Sequence, residues 1–105
     1  MTGRFRTEPE ASAELDEAVR WYEGQRPGLG GELLEAIDIA LSNVARWPQI
    51  GAQVPDVPPD LPVRRVPVGR FPYHIVYLET PGAIRILAFA HDRRFPGYWL
   101  SRATK

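Results

Sequence analysis

The chain has 105 residues, 44% hydrophobic and 25% charged, with a formal net charge of zero. That is room for one domain and one core over 1–105, and too little for two. No apolar run reaches the roughly 18–20 residues of a membrane helix, the N-terminus lacks the apolar segment of a secretion signal, and the absence of cysteine excludes disulfides and thiolate chemistry and fits a cytoplasmic setting.

The first element is a short alternating strand, "GRFRT" at 3–7, with Phe5 between Arg4 and Arg6. Thr7 and Glu10 then have capping-box spacing, and Pro9 suits a first helical turn. Ala11, Leu15, Ala18, Val19 and Tyr22 follow on one helical face, away from Glu10, Glu14, Glu17 and Arg20. Gly24 and "RPG" at 26–28 end this helix. A second helix begins near Pro27–Leu29 and runs to Trp47, before Pro48. Its stripe is Leu33, Ile37, Leu41 and Val44, widened by Leu34 and Ala40. The short link makes the two helices an antiparallel hairpin, and "GLGG" at 28–31 reads as its turn.

The proline-rich segment 48–62 has no period and reads as a long loop. Three strands follow: 63–68, with Pro67 favouring an edge or an early end; 73–79; and 83–91, apolar on both faces and therefore covered on both sides. The last two form a hairpin through "TPG" at 80–82. Strict alternation in the last strand puts Arg85, Leu87, Phe89 and His91 on one face, and Ile84, Ile86, Ala88 and Ala90 on the other. The expected fold is α+β: a small, mostly antiparallel sheet with an N-terminal strand, a two-helix antiparallel hairpin packed on it, three further strands and a short C-terminal tail.

Residues 1–47 hold nine acidic and five basic side chains; residues 48–105 hold four and eight. The front half is acidic and the back half basic. Lys105 is the one lysine; every other cation is arginine, suited to binding anions and unsuited to general base work. His74 and His91 have no metal-binding spacing, so no metal and no cofactor are expected. The stretch "AHDRRFPGYWLSR" at 90–102 concentrates the remaining chemistry. Together with Arg64, Arg65, Arg70 and Arg85, its Arg93, Arg94 and Arg102 can meet a phosphate or an acidic partner, with Tyr98 and Trp99 as aromatic anchors. Equally, the two aromatics can fold back over the core and leave the arginines in solvent. His91 is either a general base or a hydrogen-bonded structural residue beside Asp92.

Four stretches carry a resemblance: "EPEASAELDEAVRWYE", "NVARWPQIG", "VRRVPVGRFPYHIVYLE" and "IRILAFAHDRRFPGYWLSR". In these, and in the order of its elements, the chain resembles the RelE/ParE toxin superfamily of bacterial type II toxin–antitoxin modules. The resemblance implies one of two activities, a RelE-like messenger RNA endoribonuclease or a ParE-like inhibitor of DNA gyrase. It also implies a cognate antitoxin partner, whose disordered segment folds on binding to give a toxin–antitoxin hetero-oligomer. "HDRRFPGYW" is more similar to the ParE-like, plasmid-stabilisation branch, and the near absence of lysine also departs from the strongly basic ribonucleases. In the ribonuclease alternative, acting on messenger RNA and the ribosome, the matching residues are His91 as acid or base, with Arg65 and Arg70 on phosphate, and Tyr98. Glu79 or Asp92 would then have to supply the second proton transfer. A non-toxic interaction module of the same fold is the third possibility.

Overall fold

A computed structural model describes residues 5–58 and 60–104. Within them the chain order is β1 (Phe5–Thr7), α1 (Pro9–Gln25), α2 (Leu29–Arg46), β2 (Ala52–Gln53), β3 (Val63–Pro67), β4 (Tyr73–Thr80), β5 (Ala83–His91) and α3 (Leu100–Ala103). The strands form a five-stranded sheet in the order β1-β5-β4-β3-β2. Every neighbouring pair is antiparallel except β1 and β5, which run parallel. Residues 3 and 4 of the expected first strand lie outside the described residues. Within the segment expected to be a loop, β2 pairs Ala52 with Arg65 and Gln53 with Arg64. Two residues are too short a run to show a period, which is why the sequence does not reveal this strand.

The helices form the expected hairpin, and their stripes meet the sheet. Ala11 and Ala18 from α1, and Leu33, Ile37, Ala40 and Val44 from α2, join Val66, Val68, Ile75, Tyr77, Ile84, Ile86 and Phe89 in one core. Leu34 falls outside the stripe and is 41% exposed. The turn between the helices is set by Glu23, whose carboxylate accepts the backbone N–H groups of Gly28 (2.9 Å) and Gly30 (3.0 Å). These are N–H groups at the start of α2, and a carboxylate there satisfies both donors and charge. A Cβ on Gly30 would come within 2.9 Å of the Val19 carbonyl, so glycine allows the close approach of the two helices. The expected capping box does not form. Thr7 belongs to β1, Glu8 is the N-cap, and the Glu8 carboxylate turns instead to Arg85 (2.9 Å).

The other sheet face carries a second core of Val63, Val76, Leu78, Leu87, Ala88 and Ala90, closed by Trp99 and Ala103. Leu61, Val54 and Val57 of the 48–62 segment pack against its margin. The apolar run of β5 is therefore covered on both sides, as its composition predicts.

The strict alternation expected for β5 fails at one point. Val76 pairs with Ala88, but Tyr77 pairs with Ile86, so Leu87 is an extra residue in β5, a β-bulge. Leu87 and Ala88 both join the tail-side core, and Phe89 moves to the helix side. Arg85 and Leu87 consequently lie on one face, with Phe89 and His91 on the other. The single face of arginine, histidine and aromatics expected from the sequence is divided by this bulge.

Candidate functional site

The tail begins where β5 ends and returns across the sheet. Trp99 is 3% exposed and lies in the tail-side core, so its indole is not at the surface. One carboxylate holds the segment down. Glu14 of α1 accepts the Tyr98 hydroxyl (2.7 Å), both terminal nitrogens of Arg102 (3.0 and 3.1 Å) and the backbone N–H of Phe89 (3.1 Å). Arg102 also donates to the Leu87 carbonyl (2.9 Å), a group next to the bulge. Burial alone would lower the Arg102 pKa; the hydrogen bond and charge of Glu14 outweigh it and raise it. Burial, and then the bond to Glu14, push the Tyr98 hydroxyl well above its ordinary range, so it stays a donor. Arg85 ties down the end of the tail through the carbonyls of Arg102 (2.8 Å) and Ala103 (3.4 Å) while pairing with Glu8.

The candidate arginines therefore divide. Arg85 and Arg102 are held in part-buried ion pairs. Arg64 donates to the carbonyls of Gly51 (2.8 Å) and Gln49 (3.2 Å) and fastens the 48–62 segment. Arg70, in the β3–β4 turn, pairs with Glu32 of α2 and lies over the Phe71 ring. Arg65, Arg93 and Arg94 are exposed. The Arg94 guanidinium rests 3.8 Å above the Tyr98 ring. Beside them stands Phe95, 74% exposed, which the sequence reading passed over in favour of Tyr98 and Trp99. Its position between "RR" and "PG" was the available signal, because a turn flanked by charge runs over the surface.

Of the three residues proposed for catalysis, the structure brings two to one place. Arg65 and His91 both border a small pocket between the tail and the sheet; Arg70 does not. The same pocket contains a pair that the sequence did not suggest. His74 Nδ1 lies 2.9 Å from Asp92 Oδ1. The β4–β5 register explains it: His74 is opposite Ala90, two residues before Asp92, and the Asp92 N–H is fixed to the Pro72 carbonyl (2.8 Å). A carboxylate accepts, so Nδ1 of His74 carries a proton in this contact. His91 has the opposite arrangement. Its Nδ1 accepts the backbone N–H of Arg93 (3.0 Å), which places the proton of the neutral ring on Nε2. The two rings are thus oriented differently, His74 by the Asp92 carboxylate and His91 by the Arg93 N–H. Glu79, the other candidate for a second proton transfer, is at the far end of β4 and lines a different groove. Among the described residues, no three His, Asp or Glu side chains converge as a metal ion would require.

No family model and no curated protein matches the chain. A solved structure does. A chain of the chromosomal ParDE TA system from P. aeruginosa aligns with a TM-score of 0.68 at 20% identity, over 83% of this chain and 92% of that one. The chain has a RelE/ParE-type fold. In this chain the Glu14 anchor and the buried Trp99 keep the outer face of the sheet closed. Among the parts left open are the Arg93–Phe95 tip, Arg65 with the His74–Asp92 pocket, and a cleft between α1, the start of β4 and the end of β5.

Proposed function

We propose that the protein is the toxin of a type II toxin–antitoxin module and acts as a ParE-like inhibitor of DNA gyrase, without cutting RNA. It works in the cytoplasm and is neutralised by a cognate antitoxin in a hetero-oligomer. The observation that carries the reading is the fold shared with a chain of a ParDE system. The state of the arginines supports the non-nucleolytic branch. Arg64, Arg85 and Arg102 hold the tail and the 48–62 segment in place, and Arg70 is paired with Glu32, so of the seven candidate arginines Arg65, Arg93 and Arg94 are the ones left to follow a nucleic-acid backbone. Arg93, Arg94 and Phe95 form the contact surface for the target under this reading, since a basic tip with an exposed aromatic suits an acidic protein surface.

One observation favours the ribonuclease alternative. The His74–Asp92 pair beside Arg65 has the parts for removing a 2′-hydroxyl proton and holding the phosphate it attacks. In that reaction the 2′-oxygen bonds to phosphorus, the bond to the 5′-oxygen breaks, and that oxygen takes a proton.

The test is to induce the chain alone in a bacterial host, map RNA 5′ ends as growth stops, and assay purified protein against gyrase. Growth arrest with no new RNA ends, and loss of supercoiling activity that Arg94→Ala weakens, is the expected result. New cuts inside translated messages that vanish in His74→Ala would replace this reading with the ribonuclease.

A further inference from the structure

A cleft of about 590 Å³ opens between α1 and the ends of β4 and β5, on the helix side of the sheet. Its floor is apolar, formed by Ala18 and Phe89, and its walls are aromatic. The rings run in a series of edge-on contacts. Trp21 meets Tyr22 at 5.0 Å, Tyr22 meets Tyr73 at 6.3 Å, and Tyr73 meets His91 at 5.0 Å. Trp21 is 59% exposed, so much of its ring is open to a ligand in the cleft. Glu17 lies one helical turn before Trp21 and lines the same cleft, exposed.

Three charged side chains line the cleft, Glu14, Glu17 and Arg94. The Glu14 carboxylate is held by Arg102 and Tyr98, whereas Glu17 faces solvent. Burial raises the Tyr73 pKa, and Tyr22, Glu17 and Glu14 raise it further, so the hydroxyl stays neutral in a negative field. Arg94 stands at the rim, but its guanidinium is stacked on Tyr98 and turned toward the tail. The helix that forms one wall agrees: α1 carries Glu10, Glu14, Asp16, Glu17 and Glu23 against the single cation Arg20.

Electron-rich rings beside a free carboxylate are the chemistry that receives a cation. We propose that this cleft is a receptor for a partner-protein segment that places an arginine or lysine against Trp21 and Glu17, with an adjacent apolar side chain on the Ala18–Phe89 floor. An open groove of this size suits a stretch of polypeptide better than a small molecule, which needs closer enclosure. The proposal stands whether or not the chain is a toxin.

The chain has three tryptophans, and they form a built-in set of controls. Trp21 lines the cleft, Trp47 is exposed elsewhere beneath Arg46, and Trp99 is buried. The experiment follows the three indole N–H signals of the ¹⁵N-labelled full chain. The titrant is an acetylated, amidated leucine–arginine–leucine tripeptide, with leucine–citrulline–leucine as the uncharged control. The Trp21 signal should shift and saturate while Trp47 and Trp99 stay in place, and the citrulline peptide should bind about threefold or more weakly. In Glu17→Gln that preference should shrink toward one, with an unchanged Trp99 signal reporting an intact core. Equal binding of the two peptides, parallel shifts of Trp21 and Trp47, or no Trp21 shift would each overturn the proposal. So would a Trp21 shift that follows protein concentration without peptide, which would assign the cleft to a second copy of the chain.

Discussion

Glu14 accepts four hydrogen bonds that hold β5 and the tail against α1. Its side chain and that of Arg102 are 16% and 13% exposed, so the pair is neither dry nor freely solvated. Removing one partner of such a pair leaves the other charge without compensation, and this is where the large penalties arise. Glutamine at position 14 keeps the shape, loses the charge, and turns one acceptor into a donor that faces other donors. Glu14→Gln should therefore destabilise the protein by about 3 kcal/mol, a large part of the roughly 5–15 kcal/mol of a domain, seen as a lower urea midpoint. Arg102→Met should cost a similar amount. The double variant should cost clearly less than the two losses together, because neither charge is then stranded. Strict additivity in this cycle would show that Glu14 does not anchor the tail. Nothing in the local sequence marks Glu14. It reads as one more carboxylate on the solvent side of α1, and its partner lies 88 positions away. Residue chemistry was legible at 90–102, but which of those side chains would be buried depended on contacts of that range.

At the scale of elements, the 48–62 segment shows how a proline-rich stretch is kept ordered without a period of its own. The Tyr77 hydroxyl donates to the Pro48 carbonyl (2.7 Å) and accepts the Gly51 N–H (3.0 Å), and Arg64 holds the Gln49 and Gly51 carbonyls. Gly51 is required there, since a Cβ would lie 2.7 Å from that hydroxyl. Tyr77→Phe leaves the Gly51 N–H buried without its acceptor, which costs about 1–3 kcal/mol. Amide exchange should accelerate first at residues 49–53, ahead of the β4–β5 hairpin; unchanged protection of Gly51 would count against the tether. The helices and the three later strands were legible because each repeats its period over enough residues to define a face. Two features were not. Strand β2 is too short to have a period, and the bulge at Leu87 inserts one residue into an unbroken apolar run, where hydrophobicity cannot show which face each side chain takes. That one residue separates Arg85 from His91, and with them the candidate site.

Across the whole molecule, the four tyrosines are placed so that each resists ionisation. Burial is the leading cause for Tyr22, Tyr73, Tyr77 and Tyr98, and every one has its pKa raised. The consequence for stability has a definite sign. In the unfolded chain a tyrosine loses its proton near pH 10, whereas in the folded protein it keeps the proton to higher pH. Above that point the folded state binds more protons than the unfolded state, so stability falls as pH rises. The stabilisation is fully present below about pH 10 and is lost as pH climbs toward the folded-state values. Arginine remains charged through this range, so the ion pairs at Glu8 and Glu14 do not dissolve first. The effect should be cooperative, because Tyr98 secures the tail on the second core and Tyr77 secures the 48–62 segment at its margin. Urea midpoints should be flat from about pH 8 to 10 and then drop, with tyrosinate absorbance appearing together with unfolding rather than before it. Tyr98→Phe should lower stability at neutral pH and flatten the alkaline fall, since it removes the group with the largest raise. A tyrosinate signal that rises while the core remains folded would show that these hydroxyls are open to solvent and that the two closed faces of the sheet are not.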